Sequence, residues 1–236
     1  MRRRTLALAT ASGAALLAAA ALPATAQPAA HRAAAPHAAL QEGSVSAAQL
    51  LAKLKDCTQV SKGKYSTDEG TPATVPVCGK NGAVFWKADM DIDCDGQITS
   101  QCSADTDPWF QDDTRFHQSD DKPLNAAKLP YVVVPSVSSI WNYESAGIKG
   151  GGVVAIIYNN QVEYAVVGDT GPNKIIGEAS YAAAKGLGID PDPETGGADS
   201  GVTYLLFKNS QASPIESHSA AVSSGDALAK KFLQEN

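Results

Sequence analysis

The stretch "GVVAIIYNNQVEYAVVGDT", residues 152–170, decides the fold. Two apolar runs rich in Val, Ile and Ala flank the dipeptide Asn159-Asn160. β-Branched residues favour extended backbone, and Asn tolerates the left-handed conformation that a short hairpin turn needs. The stretch therefore predicts a β-hairpin whose second strand ends close to Asp169.

Further short apolar runs predict more strands, while helical periodicity is confined to a few segments. Strands are expected at "AVFWKADMDID" (83–93), "YVVVP" (131–135) and "GVTYLLF" (201–207), and helices within residues 44–57, 177–188 and 225–236. Because the strands outnumber the helices and lack regular crossover helices, we predict a mainly β (α+β) fold, barrel-like with a few peripheral helices.

The N-terminal region predicts export. Residues 1–26 combine "MRRR", an apolar Ala- and Leu-rich run and a small-residue cleavage site, which is typical of a secretory signal peptide. Residues 27–43 are rich in Ala, Pro and His without apolar periodicity, and a flexible leader is expected there. Residues 44–236 are long enough for one domain with a substantial core. We therefore predict a secreted, extracellular protein.

The cysteines indicate disulfides. An even set of four in an exported chain suggests two bridges, and three pairings are open. Locality favours Cys57–Cys78 and Cys94–Cys102. A four-cysteine zinc site is disfavoured, because the chain contains no C-x-x-C spacing.

Charge excludes some partners. Residues 1–26 hold three arginines and no acids, so their removal leaves 16 Lys and Arg against 25 Asp and Glu, a net charge of −9. Ten aspartates and a single basic residue, Arg115, lie between Asp89 and Asp121. Such a field repels nucleic acid and anionic membranes and attracts cations. No nucleic-acid or membrane partner is therefore expected.

The segment "KADMDIDCDG" (87–96) resembles the start of an EF-hand loop, with Asp91, Asp93 and Asp95 at alternate positions. The twelfth position is Cys102, which cannot supply the bidentate carboxylate, so an EF-hand is excluded and a looser cation site stays open. In extended geometry the three carboxylates share one face, which is costly without a positive partner. That partner is a Lys or Arg side chain, a metal ion or a cationic ligand.

Two further acidic residues lie at and after the end of the predicted hairpin. The turn "GDTGP" (168–172) displays Asp169 at the rim of the sheet, and Glu178 is expected to open the next helix. Two carboxyls around one loop are the minimum apparatus for glycoside hydrolysis, one as acid and one as base or nucleophile. The structural alternative is a turn cap at Asp169 and a helix-dipole contact at Glu178.

Three segments resemble the fungal and actinobacterial chitosanases of glycoside hydrolase family 75: "KADMDIDCDG", "YAVVGDTGPNKIIGEASYAAAKGLGI" (164–189) and "GVTYLLF". The essential Asp and Glu of that family fall on Asp169 and Glu178. The resemblance implies hydrolysis of the β-1,4 links of chitosan with inversion, by a single catalytic domain over residues 44–236. The D-T-G turn is also similar to that of double-psi β-barrel enzymes, which implies a related barrel. No cofactor and no metal are predicted, and we expect a monomer.

Chitosan is a cationic polysaccharide, so it is the expected ligand of the negatively charged surface. On this ground Asp91, Asp93 and Asp95 are assigned to substrate binding. Glu178 is the expected general acid, its pKa raised by apolar neighbours, and Asp169 the expected base, with the reverse assignment open.

Other residues near the pair are assigned to binding as well. Thr170 is expected to position water or a carboxylate, and Tyr164 and Tyr181 to stack on sugar rings beside the loop. Further candidates for stacking are Trp86, Trp109, Trp141 and Tyr143.

Two other functions fit the same residues. One is another double-psi-barrel glycosidase acting on peptidoglycan or cellulose, although uncharged cellulose gains nothing from an acidic field. The other is a non-catalytic, cation-stabilised carbohydrate-binding module in which Asp169 and Glu178 are structural.

Overall fold

The computed structural model describes residues 41–236, so the predicted signal peptide (1–26) and most of the predicted leader (27–43) lie outside the described residues. The strands are β1 Thr58–Gln59, β2 Cys78–Lys80, β3 Ala83–Asp93, β4 Tyr131–Pro135, β5 Val153–Tyr158, β6 Gln161–Gly171, β7 Glu178–Ser180 and β8 Ala198–Phe207. The helices are α1 Ala47–Lys53, α2 Tyr181–Gly186 and α3 His218–Glu235.

Six of these strands close into a barrel. Their order is β3-β7-β4-β6-β5-β8, and the last strand, β8, pairs with the first, β3, which closes the barrel. The β3–β7 and β4–β6 pairs are parallel and the other four are antiparallel. Closure pairs the backbone groups that an open edge would leave exposed. The mainly β, barrel-like prediction is confirmed, while the relation to double-psi barrels stays a prediction.

The predicted hairpin forms β5 and β6. Tyr158 pairs with Gln161, and the intervening Asn159 and Asn160 have φ values of 44° and 63°. Two left-handed residues make a turn whose twist matches that of the flanking strands. The second strand is longer than expected, because it continues through Asp169 to Gly171.

Alternation along the strands separates two apolar faces. One set of buried side chains comes from all six barrel strands and fills the interior, where Trp86 stacks on Tyr204 at 5.5 Å between ring centroids. The other set lies on the outer face and packs against α1 and α3. Gly225 of α3 approaches β6 so closely that a Cβ there would lie 2.2 Å from the Tyr164 ring.

The helices differ from the predicted ones at their starts. Ser46 caps α1 through its hydroxyl, which accepts from Gln49 N. The terminal helix α3 begins at His218, two turns before the predicted segment, because Ser217 supplies a cap. No helix in the described part of the chain is both long and apolar enough to cross a membrane.

The disulfides favoured by locality are both present, Cys57–Cys78 and Cys94–Cys102. The first joins the segment after α1 to β2, and the second closes the loop that follows β3. The predicted two-bridge framework is confirmed.

Residues 41–43, the end of the predicted leader, are bound to β6. Glu42 N donates to Val162 O at 3.0 Å, and Tyr164 N donates to Glu42 Oε2 at 2.6 Å. The described end of the leader is thus attached to the barrel.

Candidate active site

Glu178 lies in β7, a three-residue strand between β3 and β4, so the prediction that it opens a helix is wrong. Its neighbour Ala179 is fully buried among the interior residues and pairs with Ile92 and Val132. The pairing needs of the closed barrel therefore override the helical pattern of this segment. The helix begins only at Tyr181, where the Ser180 hydroxyl caps it.

A β-bulge turns Asp169 toward the outer face. Val132 pairs with Val167 but the next residue, Val133, pairs with Asp169, which leaves Gly168 as an extra residue. Without this residue, alternation would place Asp169 on the interior face with Val167. Gly168 is required here, since a Cβ would lie 2.6 Å from Cβ and Cγ of Tyr131.

The bulge aligns the two proposed catalytic acids in one row. Val133 pairs with Asp169 on β6 and with Glu178 on β7, so two strand spacings, about 9.6 Å, separate the Cα atoms of the acids. The Glu178 side chain extends over Val133: its Oε2 lies 3.0 Å from the position that a Cβ of Gly171 would take. Both side chains therefore lie on the same face, and the Glu178 carboxyl reaches across Val133 toward β6.

Glu178 is held in its neutral form. Burial raises its pKa to about 8, and the negative charges of Asp91, Asp95 and Asp169 contribute in the same direction. A carboxyl with such a pKa is protonated at pH 7 and can donate a proton.

Asp169 has a different environment, although it is only 7% exposed. Its Oδ1 accepts backbone N–H groups from Arg115 at 2.8 Å and Thr170 at 2.6 Å. Burial raises the pKa of Asp169, whereas the two N–H donors and the charge of Arg115 favour the carboxylate. Of the two acids, Asp169 is the better suited to stay ionised.

The three predicted binding aspartates differ in exposure. Asp91 pairs with Glu178 across β3 and β7 and is exposed. Asp93 is buried, its Oδ1 accepts from Asp95 N at 2.6 Å, and burial raises its pKa well above the usual range. Asp95 is half-buried, and its Oδ1 accepts from Gln111 N at 2.6 Å. Asp91 and Asp95 are therefore the accessible members, with Asp93 beneath them.

Two cavities meet at Asp95. One, of about 300 Å³, is lined by Glu178, Asp91 and Trp109 among others, and the second, of about 490 Å³, by Asp169 and Thr170 among others. Because Asp95 lines both, we treat them as neighbouring halves of one acidic cleft. Glu178 lies in one half and Asp169 in the other.

Most acids of the cleft have no ion-pair partner among residues 41–236. The exception is Asp113 in the Asp169 half, which pairs with His117 at 2.7 Å, and Arg115 lines the same half. The Lys side chains that form ion pairs do so with Asp120, Asp226 and Glu235, and no Lys or Arg of the described residues is within 4.0 Å of a carboxylate of the cleft. A ligand cation would therefore give the Glu178 half the positive partner that residues 41–236 do not supply.

Asp68 and Asp89 form a cluster of carboxylates with Asp91, and the sequence analysis did not identify Asp68 as part of it. Carboxylate oxygens of Asp68, Asp89 and Asp91 all lie within 4.8 Å of one another. Asp89 is buried, and burial together with Asp91 raises its pKa to about 7. Its Oδ1 has no hydrogen-bond partner among the described residues. Asp68 comes from a turn far away in sequence, so no local pattern could have pointed to it.

The predicted tyrosines do not reach the cleft. Tyr164 is fully buried beneath Gly225 of α3, which corrects its assignment to substrate binding. Its place in the alternating pattern of β6 puts it on the helix-covered outer face. Tyr181 is half-buried at the start of α2, packs against the outer apolar cluster and lines neither cavity.

One of the four further aromatic candidates lies in the cleft. Trp109 is 84% exposed and lines the Glu178 half, where Asp107 Oδ1 accepts its backbone N–H at 2.8 Å. The others, Trp86, Trp141 and Tyr143, are buried in the interior cluster.

Comparison with known proteins shows the family of this chain. Residues 90–234 match the family model described as the fungal chitosanase of glycosyl hydrolase group 75. The chain is 33% identical to the endo-chitosanase of Aspergillus fumigatus over 142 residues, which is 54% of this chain and 59% of that protein. It is 28% identical to endo-chitosanase B of Aspergillus oryzae (strain ATCC 42149 / RIB 40) over 179 residues, 68% of this chain and 74% of that protein.

These matches assign the chain to a class of glycosyl hydrolases. The chain belongs to the fungal chitosanase family of glycosyl hydrolase group 75.

Proposed function

We propose that this protein is a secreted endo-chitosanase that hydrolyses the β-1,4 links of chitosan by an inverting acid–base mechanism. The observation that carries the proposal is the row formed by Asp169, Val133, Glu178 and Asp91. In it a proton-bearing acid and a hydrogen-bonded carboxylate share one face, next to Asp91 and Asp95, which no Lys or Arg of residues 41–236 pairs. The ammonium groups of glucosamine units supply the missing positive charge.

Glu178 acts as the general acid. Its raised pKa keeps the proton on the carboxyl at neutral pH, ready for transfer to the glycosidic oxygen as the bond to C1 breaks. The leaving sugar departs as an alcohol, so the transition state does not build up an alkoxide.

Asp169 acts as the general base. Because Oδ1 is occupied by two backbone N–H groups, Oδ2 is the atom that accepts a hydrogen bond from water. That water attacks C1 from the face opposite the leaving group and gives its proton to Asp169. Inverting enzymes keep about 6.5–9.5 Å between the two carboxyls to admit this water, and we propose such a spacing for Asp169 and Glu178, whose Cα atoms are two strand spacings apart.

The rest of the cleft holds the polymer. Asp91, at the end of the row, and Asp95, in the loop after β3, are accessible carboxylates, and they bind ammonium groups of neighbouring sugar units. Trp109 offers an exposed ring for stacking on a sugar face, and Thr170 lines the half that holds the water.

The predicted compartment and assembly belong to the same proposal. Two disulfides favour an oxidising compartment, in agreement with the signal peptide predicted at residues 1–26. We infer a monomer with one catalytic domain over residues 44–236, which size-exclusion chromatography tests.

The function is tested by incubating the protein with chitosan, chitin and carboxymethylcellulose and measuring viscosity and reducing ends. A rapid fall in viscosity with chitosan alone supports an endo-chitosanase. Cleavage of carboxymethylcellulose instead would favour another glycosidase, and binding to chitosan without new reducing ends would favour a non-catalytic module.

A further inference from the structure

A second cluster of ligand-type side chains lies away from the cleft. Glu42 precedes α1, Glu163 lies in β6 and His218 is the first residue of α3. One ligand atom of each lies within 4.8 Å of the others. Glu163 is six residues before Asp169 on the same strand, about 20 Å away. The cluster is therefore separate from the proposed catalytic pair.

Among residues 41–236, Glu163 has no hydrogen-bond or ion-pair partner that explains its burial. The side chain is 2% exposed, and its Oε2 has no hydrogen-bond partner in residues 41–236. Its Oε1 occupies the space beside Gly186 of α2, where a Cβ would come within 2.0 Å. Burial and the charge of Glu42 raise the pKa of Glu163 to about 9. An unpaired buried carboxyl costs free energy in either protonation state, and a cation would remove that cost.

The spacing of the other two side chains suits a metal ion. His218 Nε2 lies 3.1 Å from Glu42 Oε1 and 3.3 Å from Oε2. Two ligand atoms at about 2.0–2.1 Å from a tetrahedral zinc ion are about 3.3 Å apart. The imidazole and the carboxylate already have this separation, and Glu163 needs only a side-chain adjustment to complete a three-ligand set.

The surroundings of the His218 ring fit the same role. The pKa of His218 is raised mainly by its contact with Glu42 and to a smaller degree by the backbone of Tyr164. Histidines that bind metals commonly use the second ring nitrogen for such a contact, which fixes the orientation of the ring.

We propose that Glu42, Glu163 and His218 form a binding site for a divalent transition-metal ion, with zinc as the best match. One imidazole nitrogen and two carboxylates suit zinc and its neighbours, whereas calcium and magnesium prefer oxygen ligands alone. Water fills the fourth position. The bound ion fastens the chain before α1 to β6 and to the start of α3, and thereby stabilises the barrel.

The test is a calorimetric titration of the EDTA-treated full chain with zinc sulfate, with calcium chloride as the comparison. We expect one zinc ion per chain, a higher melting temperature with zinc and no response to calcium. Glu163→Gln and His218→Asn each remove a proposed ligand and should weaken zinc binding by more than the roughly 10- to 100-fold that loss of an outer-shell partner costs. His117→Asn is the matched control, since this exposed histidine pairs with Asp113 outside the cluster and its loss should leave the affinity unchanged.

Histidine NMR of the wild-type chain gives a second readout that needs no folded Glu163 variant. The chain has four histidines, and the ring signal lost in His218→Asn should be the one that shifts when zinc is added. Shifts confined to the other histidines would overturn the proposal. So would an unchanged zinc affinity in Glu163→Gln and His218→Asn, equal binding of calcium, or no zinc binding at all, which would leave a plain Glu42–His218 ion pair.

Discussion

Asp169 and Glu178 are register partners of the same residue, Val133, from opposite sides of β4. Their separation is therefore set by the hydrogen-bonded spacing of three adjacent strands and not by a loop or a helix end. Rigid strands hold catalytic groups more precisely than loops do. This relationship is the basis of the proposed acid–base pair.

Replacing either acid should abolish turnover without unfolding the protein. Glu178→Gln removes the proton donor and Asp169→Asn removes the proton acceptor, so each should lower kcat by about 10²- to 10⁴-fold. Glu235→Gln, at the C-terminal end of α3, is the matched control and should keep wild-type rates. The measurement is the release of reducing ends from soluble chitosan, with circular dichroism as the check on folding. Near-wild-type activity of either active-site variant would contradict the assignment.

The pH profile of kcat/KM should have a limb near pH 8. Glu178 acts in its protonated form, so activity is full below its pKa of about 8 and is lost as the pH rises through that value. Asp169 acts in its ionised form, so activity is lost as the pH falls through its pKa, which burial raises above 3.8. Both limbs of kcat/KM report groups of the free enzyme.

Asp91→Asn should move the basic limb. Among charges, Asp91 contributes most to the raised pKa of Glu178, so removing it should let Glu178 lose its proton at lower pH. Titration of the substrate amines affects wild type and variant alike, so the difference between the two profiles isolates the enzyme. An unchanged basic limb in the variant would show that Glu178 does not control it.

Trp109→Ala should weaken substrate binding and leave the chemistry intact. The ring is 84% exposed, so its loss should not affect stability, and a lost stacking contact of about 0.5–1.5 kcal/mol raises KM by roughly two- to tenfold. Steady-state kinetics on chitosan oligomers separate KM from kcat. A fall in kcat with unchanged KM would mean that Trp109 is not a stacking residue.

Gly168→Ala should damage both stability and activity. The new Cβ would meet Tyr131 at 2.6 Å and Leu124 at 2.8 Å, and relief requires the bulge to shift, at about 1–3 kcal/mol of unfolding free energy. Because the bulge orients Asp169, kcat should fall as well. Gly63→Ala is the control, since its nearest neighbour would be 3.7 Å away. Urea unfolding together with kinetics checks both effects, and a fully active Gly168→Ala would argue against the bulge.

The sequence predicts the local features of this fold better than the tertiary ones. The Asn159-Asn160 turn, the cysteine pairs and the strand-rich pattern depend on neighbours in sequence, and all three are confirmed. The strand β7 is different: its three residues read as part of a helix, and only pairing with β3 and β4 makes them extended.

The candidate site was likewise predictable only where it depends on residues close in sequence. Alternation predicts correctly that a carboxylate-bearing face exists. The bulge at Gly168 changes the face that Asp169 occupies, and the alternating pattern does not predict this bulge. Tyr164 is next to the pair in sequence, yet the packing of α3 buries it. Asp68 joins Asp89 and Asp91 only because a distant turn folds against β3.

The stereochemistry of the first product distinguishes direct attack by water from a covalent intermediate. Proton NMR of chitosan oligomers, recorded during the first minutes of hydrolysis, distinguishes the newly formed anomers before mutarotation mixes them. Direct attack by a water held by Asp169, with Glu178 as acid, converts a β-link into an α-product. An initial α-anomer is the predicted result, and an initial β-anomer would contradict the inverting acid–base mechanism.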